Sequence, residues 1–236
     1  MIILNKKEFT VGTIMALGFF GLLFVIVSPV FNGRNGLEFA DDMFNKLSKG
    51  SAYFIPKVEA HNQDFMGKQF AVTIIPDQPE DAERIAKLLT GSGEMVVPKE
   101  GSLDIKGDLG RMLAAVIKDS DAMYKNDGAQ LASTYGYEEK QVMKDWWQAL
   151  DKMNKELQLN KAFEEAKMIG DVMKKVVEPA YNFYKIEAVK VSERALSMTG
   201  ILMFYVIYTV WWGFAIMYIF EGLGITTKRA KAKKEL

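Results

Sequence analysis

Two long stretches without a charged side chain constrain this sequence more than any other feature. Residues 9–33 and residues 195–220 contain no Asp, Glu, Lys or Arg. A helix needs about 20 apolar residues to cross the hydrocarbon core of a bilayer. Their positions predict a cytoplasmic N-tail (1–10), a first transmembrane helix (11–31), an extracytoplasmic segment (32–194), a second transmembrane helix (195–221) and a basic tail (222–236). The expected fold class is a membrane protein with two transmembrane helices and an α+β, mostly helical extracytoplasmic domain between them.

Orientation follows from charge. Lys6 and Lys7 precede the first span, and Lys228, Arg229, Lys231, Lys233 and Lys234 follow the second. Basic residues next to a span stay in the cytoplasm, so both termini are expected inside. Residues 32–194 carry 23 Lys and Arg against 27 Asp and Glu, so the formal zero of the chain hides an acidic central segment. The first apolar run is about twice as long as the core of a cleavable signal, and Val27-Ser28-Pro29 offers no small-residue cleavage pattern, which predicts an uncleaved anchor. The expected location is a bacterial cytoplasmic membrane with a periplasmic central domain.

Within that domain, Leu37, Ala40, Met43, Phe44 and Leu47 recur at helical spacing after an Arg34-Asn35-Gly36 turn, with a stop at Gly50. Phe54-Ile55-Pro56 is expected to open a polar, irregular stretch. The β-branched run Phe70–Ile75 predicts a buried strand. Asp77 and Glu80 stand at capping-box spacing and Pro79 suits a first helical turn, with Ala82, Ile85, Ala86 and Leu89 facing inward. Met95-Val96-Val97 and Leu103-Asp104-Ile105 read as a hairpin, and Asp108 as the cap of a further helix. Strand, helix, strand, strand, helix makes a small α+β unit at about 70–125. From about 128 to 194 the pattern is helical. One stripe runs Met143, Trp146, Trp147, Leu150, Met153 and Leu157, and another Ala162, Phe163, Ala166, Ile169, Met173, Val176 and Val177. Pro179 should break or kink the second stripe, with a helix resuming at Tyr181 and running into the second span.

Reactive chemistry is sparse. There is no cysteine and one histidine, His61. That removes disulfides, thiolate metal sites, iron–sulfur clusters, covalently held haem and zinc or copper sites built on several His or Cys. Haem b held by two histidines is equally impossible within one chain, and no cofactor is expected. Asp77, Glu80, Asp81 and Glu83 read as negative charge on a helix start. Lys106-Gly107-Asp108-Leu109-Gly110-Arg111 reads as a turn and a cap, since the phosphate-loop spacing is absent.

The spans hold no charge, which argues against an ion path or pump. Gly12 and Ala16 lie on one face of the first, and Gly18 and Gly21 on nearly the opposite one. Small residues admit close helix approach in lipid. Tyr205, Tyr208 and Trp212 share a face of the second, away from the interfaces where such residues usually sit. These seven residues are the expected contacts with lipid or partner helices. The layout resembles bacterial two-span receptors, although only 15 residues follow Glu221 where those carry an output module. The expected role is a non-catalytic accessory or scaffold subunit of a larger inner-membrane complex, and the alternative is a periplasmic sensor or ligand-binding module. Membrane lipids and other integral membrane subunits are the expected partners; nucleic acid is not.

Overall fold

The structure, a computed structural model, describes residues 3–225; the basic tail that helped to set the expected orientation lies outside them. The chain divides into two compact units, one formed by residues up to Phe44 and from Lys190, the other by Asn45–Val189. Most of the described chain is helical, with one three-stranded sheet.

The first unit contains α1 (Lys6–Val27) and α10 (Val191–Gly222). At 1.5 Å per residue these are about 33 and 48 Å long. Both are long and apolar enough to cross a membrane, and only 6% of each apolar window is buried within the structure. After α1 the chain reverses at Asn32 and Gly33, both at positive φ, with Phe31 and Arg34 exchanging backbone hydrogen bonds of 3.0 and 3.1 Å. The turn therefore spans Phe31–Arg34, ahead of the expected Arg34-Asn35-Gly36. Asn35 instead caps α2 (Gly36–Ser51). Its Oδ1 accepts the Glu38 amide at 2.9 Å, and the Glu38 carboxylate accepts the Asn35 amide at 2.9 Å. This reciprocal pair satisfies two donors at the helix start.

In the second unit, β1 (Gln69–Ile74), β2 (Met95–Lys99) and β3 (Ser102–Asp108) form an antiparallel sheet of order β1-β3-β2, with Val72 and Val96 both opposite Ile105. Phe70, Val72 and Ile74 are buried while Gln69, Ala71 and Thr73 are exposed. The strand expected to be buried is buried on one face only: helices cover that face, and solvent the other. On the open face Thr73 donates to Asp104 at 2.7 Å and Lys99 pairs with the same carboxylate.

The expected hairpin and the helices on either side of it are present. The helix before it, α4 (Pro79–Gly91), starts differently from the expectation. Gln78 holds the cap position with no side-chain bond, because Asp77 is engaged elsewhere. The Asp108 cap of α5 (Leu109–Tyr124) is as read, its carboxylate accepting the Arg111 amide at 3.1 Å. The stretch after Phe54 is not irregular. It forms α3 (Ile55–Asn62) and a 3-10 turn (Gln63–Phe65), with Pro56 in the first turn and Ile55, Val58 and Asn62 buried on one face. Buried Asn62 donates to the Gly110 carbonyl at 2.7 Å.

Helices α6 (Gly128–Tyr135), α7 (Glu139–Leu159) and α8 (Phe163–Val172) follow. Pro179 causes no break. A π-helical turn (Met173–Val177) carries α8 into α9 (Glu178–Asn182), and the wider turn precedes the residue that has no amide to donate. Helix does not resume at Tyr181 either. The chain leaves helical geometry after Asn182, with Lys185 at φ +63, and re-forms it at Val191. That segment is clasped to the end of α2. The Lys49 ammonium, 3% exposed, donates to Asn126 Oδ1 (2.9 Å) and to the carbonyls of Phe183 (3.0 Å) and Ile186 (2.6 Å). Val189 donates to the Lys46 carbonyl at 3.1 Å, and a side chain at Gly50 would collide with the Val189 carbonyl. The two places where the chain joins this unit are therefore held side by side.

Candidate functional site

Helices α1 and α10 lie antiparallel, and their contacts explain most of the residues singled out in the apolar runs. At one end, the amides of Leu4 and Asn5 donate to the Gly222 carbonyl at 3.0 and 3.1 Å, and Asn5 Nδ2 donates to the Glu221 carbonyl at 3.0 Å. These carbonyls end α10 and lack intrahelical partners, so the residues that lead into one helix cap the other. Gly12 is buried on this seam. A Cβ there would stand 2.6 Å from the Ile219 amide nitrogen and 3.0 Å from the Ala215 carbonyl oxygen. Ala16 is half-buried. Farther along, the face of Gly18 is also used by α10, because the Trp211 ring comes within 3.0 Å of where a Cβ would be. One neighbour thus reaches Gly12 on one small face and Gly18 on the other. Gly21 is different, with no atom within 4 Å of its Cβ position.

The aromatic face divides in the same way. Tyr208 stacks on Phe19 with ring centroids 4.1 Å apart, and its hydroxyl donates to the Phe19 carbonyl at 3.2 Å. Trp212 stacks on the other side of this cluster, 4.6 Å from Phe19 and 5.5 Å edge-on to Phe20. The Trp211 indole N–H donates to the Met15 carbonyl at 3.1 Å. Few side chains of α1 can serve as acceptors for these groups. Its backbone supplies them instead: a helix carbonyl keeps a second lone pair after its intrahelical bond. Tyr205 alone among the three faces away, 67% exposed.

The second unit holds a groove that sequence reasoning missed. It is a cavity of about 290 Å³ between α7 and the π-turn–α9 segment, lined by Met143, Lys144, Trp147, Val177, Glu178 and Tyr181. Trp147 is 39% exposed, and its indole donates to Glu178 at 3.1 Å. Lys140 lies over the Tyr181 ring, 5.3 Å from its centroid. A signal was available: neighbouring helical residues point about 100° apart, so Trp146 and Trp147 cannot both face one core. Trp146 is fully buried and Trp147 is not. Phe163, placed in a core stripe, is likewise 64% exposed.

Several polar clusters elsewhere in this unit are spent on structure. Asp145, completely buried, accepts from Arg84 Nε at 2.9 Å and from Gln141 at 2.7 Å, and Arg84 also pairs with Asp81. Gln148 donates to Asp77 at 2.9 Å, and Lys152 pairs with Asp77 at 2.6 Å. Hydrogen bonding to the Lys152 ammonium holds the Asp77 carboxyl below the usual carboxylate range. The acidic cluster at the start of α4 is therefore tied across to α7, which is why Asp77 does not cap. Asp119 joins three helices, its Oδ2 accepting from Tyr135 (2.6 Å) and Trp146 (2.9 Å). His61 is exposed on α3, edge-on to Phe65 at 5.7 Å. Among the described residues no three His, Asp or Glu side chains come together as a metal site. Comparison of the chain with protein-family descriptions, with curated proteins and with solved structures gives no match.

Proposed function

We propose that this chain is a membrane-anchored, non-catalytic accessory or scaffold subunit of a bacterial inner-membrane assembly. In this reading α1 and α10 span the bilayer, both termini are cytoplasmic, and the Asn45–Val189 unit stands on the periplasmic side. The observation that carries the reading is the apolar surface left on the helix pair after its own seam is formed. Leu202, Met203, Tyr205, Val206 and Ile207 are between 51% and 67% exposed. Gly21, Gly200 and Gly213 have nothing within 4 Å of their Cβ positions. Exposed apolar helices of this length belong in lipid, and open small residues admit a further helix. The test is extraction in mild detergent, measurement of native mass and identification of co-purifying chains, repeated with Tyr205→Leu and Gly21→Leu. Association with defined integral membrane subunits, weakened by these variants, supports the reading. A native mass of one chain plus detergent refutes it.

The groove between Trp147 and Tyr181 supports a second reading, a periplasmic ligand-binding or sensing module. It is small for a ligand site, which usually measures about 300–1,000 Å³. A screen by differential scanning fluorimetry, with Trp147→Ala as control, discriminates the two. A ligand whose stabilisation disappears in the variant favours the sensor.

A further inference from the structure

The interior of the second unit contains one carboxyl whose placement is not structural in the ordinary sense. Glu94 precedes β2 and follows Gly93, whose φ of +94 turns the chain inward, and its amide donates to the Leu89 carbonyl at 3.0 Å. The residue is 4% exposed. Both carboxyl oxygens are buried and neither completes a hydrogen bond, the Asp108 main chain being the nearest group that bears on them. The carboxyl fits only because position 107 is glycine: a methyl group there would overlap it. The charged groups facing it are Asp108, at the end of β3, and Arg111, on the first turn of α5. Arg111 lies at the rim, its Cδ 3.7 Å from the Cβ position of Gly93. The buried Asp145 and half-buried Asp119 carboxylates, by contrast, are both hydrogen-bonded.

An ionised carboxylate without a partner is strongly disfavoured in such a place, whereas the neutral acid is tolerated. We propose that Glu94 is a proton-operated latch on strand β2, seated under Gly107 when protonated and released towards solvent and Arg111 when it loses its proton. Burial pushes its pKa up to about 7, the Asp108 charge adding to this while the Asp108 main chain and Arg111 oppose it. Release frees the first residues of β2, an outer strand bonded to the sheet through β3 only. The latch is independent of the anchoring role proposed above.

Amide hydrogen exchange of the full chain in mild detergent, at pH 5.5 and pH 8.5 and corrected for intrinsic rates, tests this. Protection of Met95 and Val97, which alternate along the β3-facing edge of β2, should fall by about tenfold or more at the higher pH. Glu94→Gln, which keeps the shape and removes the charge, should make protection equal at the two pH values. A carbon-detected NMR titration of the Glu94 carboxyl gives a readout that no substitution can disturb, and its midpoint should lie near neutrality. Equal protection of the native chain at both pH values, an undiminished pH effect in Glu94→Gln, or a midpoint in the ordinary glutamate range overturns the proposal.

Discussion

Replacing Asp119 by alanine removes the single oxygen on which Tyr135 and Trp146 converge. Trp146 is completely buried and Tyr135 is 9% exposed, so the indole N–H in particular cannot turn to water. A buried donor left without a partner costs about 1–3 kcal/mol. The loss for two donors, with tyrosine partly able to reach solvent, comes to about 2–4 kcal/mol. For a domain of this size that lowers the midpoint by ~5–15 °C. Asp119→Asn should cost less than about 1 kcal/mol, because an amide oxygen can still accept both bonds. Burial raises the Asp119 pKa, against the hydrogen bonds from Tyr135 and Trp146. The stability linked to its protonation is therefore complete below the ordinary carboxyl range and lost as pH rises through the raised value, and the asparagine variant should lack that slope. Thermal unfolding of the full chain in mild detergent, followed by circular dichroism across pH, measures all three. Equal destabilisation by alanine and asparagine would refute the reasoning, since it would mean that the two donors do not depend on this oxygen.

Gly12→Leu should separate α1 from α10, because the Cβ alone meets the Ile219 amide at 2.6 Å; a disulfide between Phe19→Cys and Tyr208→Cys, whose parent rings stack at 4.1 Å, should form in the otherwise native chain and form poorly with Gly12→Leu. Lys49→Met should leave Asn126, Phe183 and Ile186 without their shared donor, and hydrogen exchange of residues 183–189 should quicken while that of β3 stays unchanged. Asp77, its pKa depressed by hydrogen bonding to Lys152, contributes stability that is present above the ordinary aspartate pKa and lost as pH falls through the depressed value. Lys152→Met should flatten that acid limb in an unfolding titration.

The parts of this fold that were legible in the sequence are those governed by neighbours along the chain. The β2–β3 hairpin, the Asp108 cap and the core stripe through Met143, Trp146, Leu150, Met153 and Leu157 depend on local periodicity and local hydrogen bonds. The departures come from partners distant in sequence. Asp77 has the spacing of a cap, yet Gln148 and Lys152 on α7 outbid the amides of its own helix. The helix around His61 looked irregular because its apolar positions are few; Asn62 completes the inner face through a bond to the Gly110 carbonyl. Pro179 is accommodated by a π turn that no propensity scale records. In the apolar helices composition revealed which residues were unusual but not their register, and register decides that Tyr208 bonds to the Phe19 carbonyl while Tyr205 faces outward. The Trp147 groove was hidden by assigning two adjacent tryptophans to one face.

The most direct test of the proposed anchoring is accessibility from either side of the membrane. Ser51 and Ser133 are exposed in the second unit, and the chain has no native cysteine to interfere. In intact cells whose outer membrane has been permeabilised, Ser51→Cys and Ser133→Cys should react with an impermeant thiol reagent, whereas Thr227→Cys should react only after the inner membrane is opened. Labelling of Thr227→Cys with protection of the other two would invert the orientation. Equal labelling of all three in material released without detergent would show that α1 and α10 do not cross a membrane, and would contradict the account at its centre.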